Sequence, residues 1–214
     1  MPNRGRAVLI CGPARPLALA VARRVAGRDV AVAVQAAPAE TAAAARVCAA
    51  IRTRGGSARV LAAELGGDRD GKELIASASR ALRRLDALVI CAATVDARRK
   101  APVPLEDWNA ALSERLRATF FLAKHAAAQL RRATAGGRLV LAWSAPPPDD
   151  TGLARVVHES LLCLVDALPR AVGRNVAVAA VIGRPARRAA DLAETARAVE
   201  FVLGSAGTTV LRLD

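Results

Sequence analysis

The sequence predicts a doubly wound α/β fold: a parallel sheet of about seven strands with helices on both faces, Rossmann-like in plan. Three observations predict it. Short β-like runs alternate with long Ala/Leu/Arg stretches of helical character along the whole chain. The β-like runs are apolar at consecutive positions, as in Val30 to Val34, which suits strands covered on both sides. Turn signals bound the strands and a helix joins each to the next, as parallel neighbours require.

In order, Arg6 to Ile10 reads as the first strand and Leu17 to Ala26 as a helix. Val30 to Val34 is a fully apolar strand, Ala39 to Arg54 a helix and Ala58 to Ala62 a strand. Gly71 to Arg84 is helical, with apolar residues at 74, 75, 78 and 82 on one face. Ala87 to Cys91 is a strand, and a Pro-containing loop leads to a long helical region from Leu105 to Arg132. Strand Arg138 to Trp143 follows. Pro146-Pro147-Pro148-Asp149-Asp150 is a loop, because Pro fixes φ and lacks the backbone donor. Helix Gly152 to Val172, strand Val176 to Ile182, helix Asp191 to Leu203 and strand Thr208 to Leu211 complete the pattern. With no internal repeat, tail or linker, residues 1–214 are expected to form one domain.

Composition bounds the function. At 214 residues, 53% hydrophobic and 24% charged, the chain is of globular type and long enough to bury a core without disulfides or a structural metal. Cys11, Cys48, Cys91 and Cys163 form no CxxC pair, so no metal site is expected, and small core thiols in a reducing cytoplasm are. No apolar run approaches the ~20 residues that span a bilayer. The formal charge of +13 invites nucleic acid, yet it comes from 29 Arg against 3 Lys in scattered pairs, beside Ala-rich stretches that suit a GC-biased coding sequence. Tyr is absent and Phe plus Trp total five, which leaves almost no stacking platform for bases and argues against nucleic-acid binding. The same charge favours an acidic partner protein.

The order of landmarks resembles the short-chain dehydrogenase/reductase family over essentially the whole chain. Ala7-Val8-Leu9-Ile10-Cys11-Gly12 is similar to its first strand and glycine turn, Leu85-Asp86-Ala87-Leu88-Val89 to its fourth strand, and Asp107-Trp108 to the start of its fifth helix. Gly137-Arg138-Leu139-Val140 running to Ser144 resembles the strand that ends in the family's catalytic serine. Gly173 to Val178 resembles the lead-in to the sixth strand, and Thr209 to Asp214 the last.

The functional motifs depart from the family's. Its Thr-Gly-x-x-x-Gly-x-Gly turn falls on Cys11 to Ala18, where only Gly12 survives; Pro16 has no N–H to offer a pyrophosphate, and Ala18 adds a methyl. Gly12 and Arg15 are left as vestiges of a cofactor turn. Where an acid or an Arg would select the ribose, the chain reads Gln35-Ala36-Ala37, and the family's Asn-Asn-Ala-Gly becomes Ile90-Cys91-Ala92-Ala93. The expectation is that NAD(P) binding is lost and that no cofactor is used. The resemblance places the family's Asn on Arg115 and its Tyr-x-x-x-Lys pair on Ala154 and His158, or, three residues on, on Val157 and Leu161. Neither register holds Tyr or Lys, so no phenol is present to protonate a carbonyl. Ser144, His158 and Arg115 remain as candidate catalytic residues, vestigial or repurposed. Only seven residues separate Gly183 from Asp191, where the family inserts a lid.

These departures imply a non-catalytic subunit, pairing with an intact homologue or with itself through helices 105–132 and 152–172. Their small and apolar residues Ala110, Ala111, Ala118, Ala123, Ala126 and Ala127, with Leu112, Leu116, Phe120, Leu122, Val156, Leu161, Leu164 and Leu168, would form the contact. The alternatives are a repurposed enzyme carrying out a cyclisation or dehydration with Ser144, His158, Arg115 and Cys91 as its polar groups, and an ordinary NAD(P)-dependent reductase. The glycine turn is expected to be occluded by the Pro16 ring.

Overall fold

A computed structural model describes residues 5–13, 15–92, 104–150, 152–185, 188–205, 207 and 209–213. Seven parallel strands form one sheet in the order β3-β2-β1-β4-β5-β6-β7: β1 (Arg6–Cys11), β2 (Val30–Ala36), β3 (Ser57–Ala62), β4 (Ala87–Cys91), β5 (Gly137–Ser144), β6 (Val176–Gly183) and β7 (Thr209–Arg212). The chain winds outward from β1 to β3, returns to β4 beside β1, and winds outward again. The reversal opens a crevice at the carboxyl ends of β1 and β4, where doubly wound proteins bind their ligands.

One layer holds α1 (Arg15–Val25), α2 (Thr41–Thr53) and α7 (Ala189–Gly204); the other holds α3 (Asp68–Leu82), α5 (Ala118–Leu130) and α6 (Leu153–Val172). The alternation of side chains along each strand feeds both cores. On β1, Leu9 and Cys11 join the α3/α5/α6 side while Val8 and Ile10 join the α1/α2/α7 side, all four shut off from solvent. Small residues set the helix spacing: an added Cβ on Gly71 of α3 would touch the Phe121 backbone at 3.5 Å, so the two helices pack closely there.

Charge fixes the start of the sheet. Asp86, buried just before β4, accepts the Ala7 N–H at 2.8 Å and both Nε (3.0 Å) and a terminal nitrogen (2.7 Å) of Arg84. A buried carboxylate with three donors is stable where a lone one is not.

The expected elements are all present, with one difference. The helix read as continuous from Leu105 to Arg132 is α4 (Leu105–Leu112), a wide π-type turn over Ser113–Arg117, and α5. Ser113-Glu114-Arg115-Leu116-Arg117 contains neither Gly nor Pro, so nothing local announces the turn. Such insertions mark places where packing overrides regular winding. No helix among the described residues is long and apolar enough to cross a membrane.

Candidate nucleotide crevice and the residues around it

The crevice begins at Gly12. With φ +116° this residue sits where L side chains are strained, and a Cβ there would lie 2.4 Å from the Cys91 carbonyl oxygen. β1 can therefore turn beside β4 only through glycine. The Gly12 N–H donates to Gln35 Oε1 at 3.2 Å, and Gln35 Nε2 donates to the Ala63 carbonyl at 2.7 Å. One neutral side chain thus ties together the carboxyl ends of β1, β2 and β3. Beside it lies a cleft of about 280 Å³ whose walls include Gly12, Pro13, Gln35, Ala37, Glu64 and Leu65. Glu64 is the one ionisable group among the described lining residues.

Two features of the glycine turn differ from expectation. Pro16 is exposed and borders a groove between α1 and α7, and it is not among the described residues that wall the cleft beside Gln35. Ala18 is buried in the core on the α1 side, so its methyl fills packing space. The missing Pro16 N–H takes away one of the four free donors of the first turn of α1 and leaves the others. The side chain of Arg15 lies outside the described residues.

Across the crevice, Cys11, Cys91 and Ser144 stand at the carboxyl ends of the adjacent strands β1, β4 and β5. Cys11 and Cys91 project to opposite faces and both are fully buried. Burial pushes the Cys91 thiol up to about 12 and raises that of Cys11 as well, with Cys91 adding to the rise; neither is a thiolate at neutral pH. Ser144 is half-buried and pairs across the sheet with Gly183.

His158 is a core residue, 6% exposed, beneath β5. The indole Nε1–H of fully buried Trp143 donates to its Nδ1 at 2.9 Å, which leaves the proton of the neutral ring on Nε2. Burial holds its pKa below the usual histidine value, and although Glu159 pulls upward, Arg155 and Arg212 press it down further. Ala154, Val157 and Leu161, the other positions of the two possible Tyr/Lys registers, are buried as well. Arg115 lies in the π-type turn packed against α6, and its carbonyl accepts the Thr119 hydroxyl. The sequence reading missed the bridging role of Gln35 and the Trp143–His158 pair, because each depends on residues brought together from separate elements.

The helical surface departs from expectation too. Leu122, Ala123, Ala126, Ala127, Leu161 and Leu168 are buried in the core on the α3/α5/α6 side of the sheet, and Ala118 is buried as well, so these side chains present no exposed surface. Leu105, Trp108, Phe120 and Val156 are the large apolar side chains of these helices that face solvent. The side chains of Ala110 and Ala111 lie outside the described residues.

Comparison with known proteins places this architecture. A short-chain dehydrogenase from Burkholderia cenocepacia in complex with NADP matches at a TM-score of 0.84 and 24% identity, over 100% of this chain and 98% of that one. A short-chain dehydrogenase/reductase from Serratia marcescens matches at 0.81 and 21%, with the same coverage. An NADH-dependent reductase complexed with NAD matches at 0.80 and 16%, over 98% and 95%. No curated protein matches the chain. The expectation that no cofactor applies is overturned: neighbours of this same fold hold NADP or NAD, and here the crevice end beside Gln35 is open, with neither Pro16 nor Ala18 in it. The short chain dehydrogenase family model matches residues 6–145, and with the strand order above it shows that this chain belongs to the short-chain dehydrogenase family.

Proposed function

We propose that this chain is a non-catalytic member of the family that holds an adenine dinucleotide in the crevice and acts as the partner of a catalytically intact homologue. The observation that carries the reading is the filling of α6. In either register the positions of the family's proton donor and its lysine are core side chains, Ala154 and His158 or Val157 and Leu161. Hydride transfer to a carbonyl requires a proton for the developing alkoxide, and a neutral His158 engaged with Trp143 under the sheet does not supply it. The same burial speaks against a dehydration or cyclisation that relies on His158.

The crevice fits the adenosine portion of such a ligand. Gln35 and Glu64 offer polar groups at the ends of β2 and β3, Ala36 and Ala37 leave room, and Leu65 gives an apolar wall for a ring. A bound nicotinamide ring would supply hydride chemistry; the residues described here bind and orient. Exposed Leu105 and Trp108 of α4, Phe120 of α5 and Val156 of α6 support association through this helical face. The positive charge of the chain favours a less basic homologue over a second copy.

Three measurements test the reading. Quenching of Trp fluorescence should give saturable binding of NADH or NADPH. The chain alone should not oxidise either cofactor with a panel of aldehydes and ketones. Co-expression with an intact family member should yield a mixed oligomer in size-exclusion chromatography. Steady-state turnover by the isolated chain, or a monomer both alone and with the homologue, overturns the proposal.

A further inference from the structure

The amino ends of the strands, on the side of the sheet opposite the crevice, carry a second concavity. It measures about 400 Å³ and is walled by Thr134 and Gly136 before β5, Arg138 on β5, Arg174 and Asn175 before β6, and Gly207 before β7. Two arginines therefore line one small space, and no acidic residue is among its described lining residues. Arg138 Nε is sealed from solvent, yet it hydrogen-bonds to no described residue. Buried polar atoms are almost always paired, so the fold itself leaves this guanidinium incompletely compensated.

The surrounding charges do not provide that partner. Arg6, whose guanidinium donates to the Leu203 carbonyl, repels Arg138, and burial together with this repulsion lowers the Arg138 pKa. Asp86 is held by Arg84 and the Ala7 N–H, and Arg84 in turn reaches Thr134 Oγ1 at 3.5 Å. A cationic pocket whose two arginines form no ion pair with a described carboxylate, flanked by hydroxyl and amide groups, is complementary to a compact dianion. Guanidinium forks match tetrahedral oxyanions in geometry as well as in charge.

We propose that this concavity is an oxyanion site that takes the phosphate group of a small molecule, held by Arg138 and Arg174. It goes beyond the proposed function and does not depend on it, since the two sites lie at opposite ends of the strands. The volume suits one small ligand, and the absence of an aromatic ring among its described walls gives a nucleobase nothing to stack on.

The test is calorimetric titration of the full chain with inorganic phosphate against sodium chloride at matched ionic strength. Saturable binding is expected for phosphate alone, weakened about tenfold or more by Arg138→Gln and by Arg174→Gln, the loss of one charge-assisted pair being worth at least that factor. Arg132→Gln removes the same charge from an exposed helix end and should leave the affinity unchanged. Arg174 is exposed, so its variant keeps the test valid even if Arg138→Gln does not fold. Glycerol 3-phosphate binding more tightly than inorganic phosphate assigns a phosphorylated metabolite; equal binding assigns the free ion. A response no greater than that to chloride, equal loss in the Arg132 variant, retention in both site variants, or binding of citrate or a single-stranded oligonucleotide without phosphate overturns the proposal.

Discussion

Replacing Trp143 by Phe tests whether His158 is a structural residue, and the size of the effect follows from the geometry. Trp143 is fully buried, and its indole N–H is the partner of His158 Nδ1 at 2.9 Å. The substitution leaves that acceptor unsatisfied in the core, at a cost of about 1–3 kcal/mol. The lost ring also leaves a cavity, which adds about 1–2 kcal/mol. A combined loss of about 2–5 kcal/mol lowers Tm by roughly 5 to 15 °C in a chain of this length. His158→Leu should cost a similar amount, because it strands the indole N–H instead. The two changes should not add, since removing both partners leaves neither group unpaired. The double variant is expected to be more stable than the sum of the singles by about 1–2 kcal/mol. Urea unfolding followed by circular dichroism measures all four states without relying on the removed tryptophan. Additivity within about 0.5 kcal/mol would refute the pairing, and with it the argument that His158 is unavailable for chemistry.

Three further outcomes are expected. The folded chain resists protonation of His158, so the unfolded chain binds more protons below its ordinary pKa of about 6.5; stability from this group is present above that pH and falls as pH drops, by at most about 1.4 kcal/mol per unit, until the folded group titrates. Urea midpoints at pH 7.5 and 5.5 check this, and a His158→Leu variant showing the same slope as the parent would contradict it. Gln35→Arg puts a cation at the end of β2 and should shift the ratio of NADPH to NADH affinity roughly tenfold toward NADPH; unchanged ratios in a fluorescence titration would place the nucleotide elsewhere. Gly183→Ala sets a Cβ 2.2 Å from Thr195 Oγ1, a group fixed by its bond to the Asp191 carbonyl, so it should destabilise the chain by about 1–3 kcal/mol through displacement of α7, read as a lower Tm.

Much of the fold is legible in the sequence because its determinants are local. Consecutive apolar residues in Val30 to Val34 and the spacing of Leu74, Ile75 and Ala78 each specify an element without knowledge of its neighbours. The π-type turn at Ser113–Arg117 is not legible, because its residues are ordinary helix formers. Side-chain direction is the other hidden quantity. Pro16 reads as an obstruction in one dimension and lies on the α7 side of α1 in three. Likewise the alanines of α5 read as an interface stripe until the sheet claims them. The Gln35 bridge needs Gly12 and Ala63, 23 and 28 positions away, to be brought to one point.

The surviving turn glycine shows why motif counting misjudged the crevice. Gly12 is required by the Cys91 carbonyl, a contact within the fold, so it would persist whether or not a dinucleotide binds. The positions where the family's other turn glycines fall tolerate replacement here for a reason equally internal: Ala18 points into the core and Pro16 toward α7. Presence and absence of glycine in this turn therefore report packing. The groups with freedom to report on a ligand are those that wall the open cleft, Gln35 and Glu64, and their chemistry is specific. A neutral amide already engaged at both ends adds no positive charge for a 2′-phosphate, and an exposed carboxylate opposite repels one. The crevice as built suits a ribose without that phosphate, so NADH should bind more tightly than NADPH to the unmodified chain. Competitive titration of the two at one ionic strength decides it, and tighter binding of NADPH would refute the assignment of Gln35 and Glu64 to the ribose end.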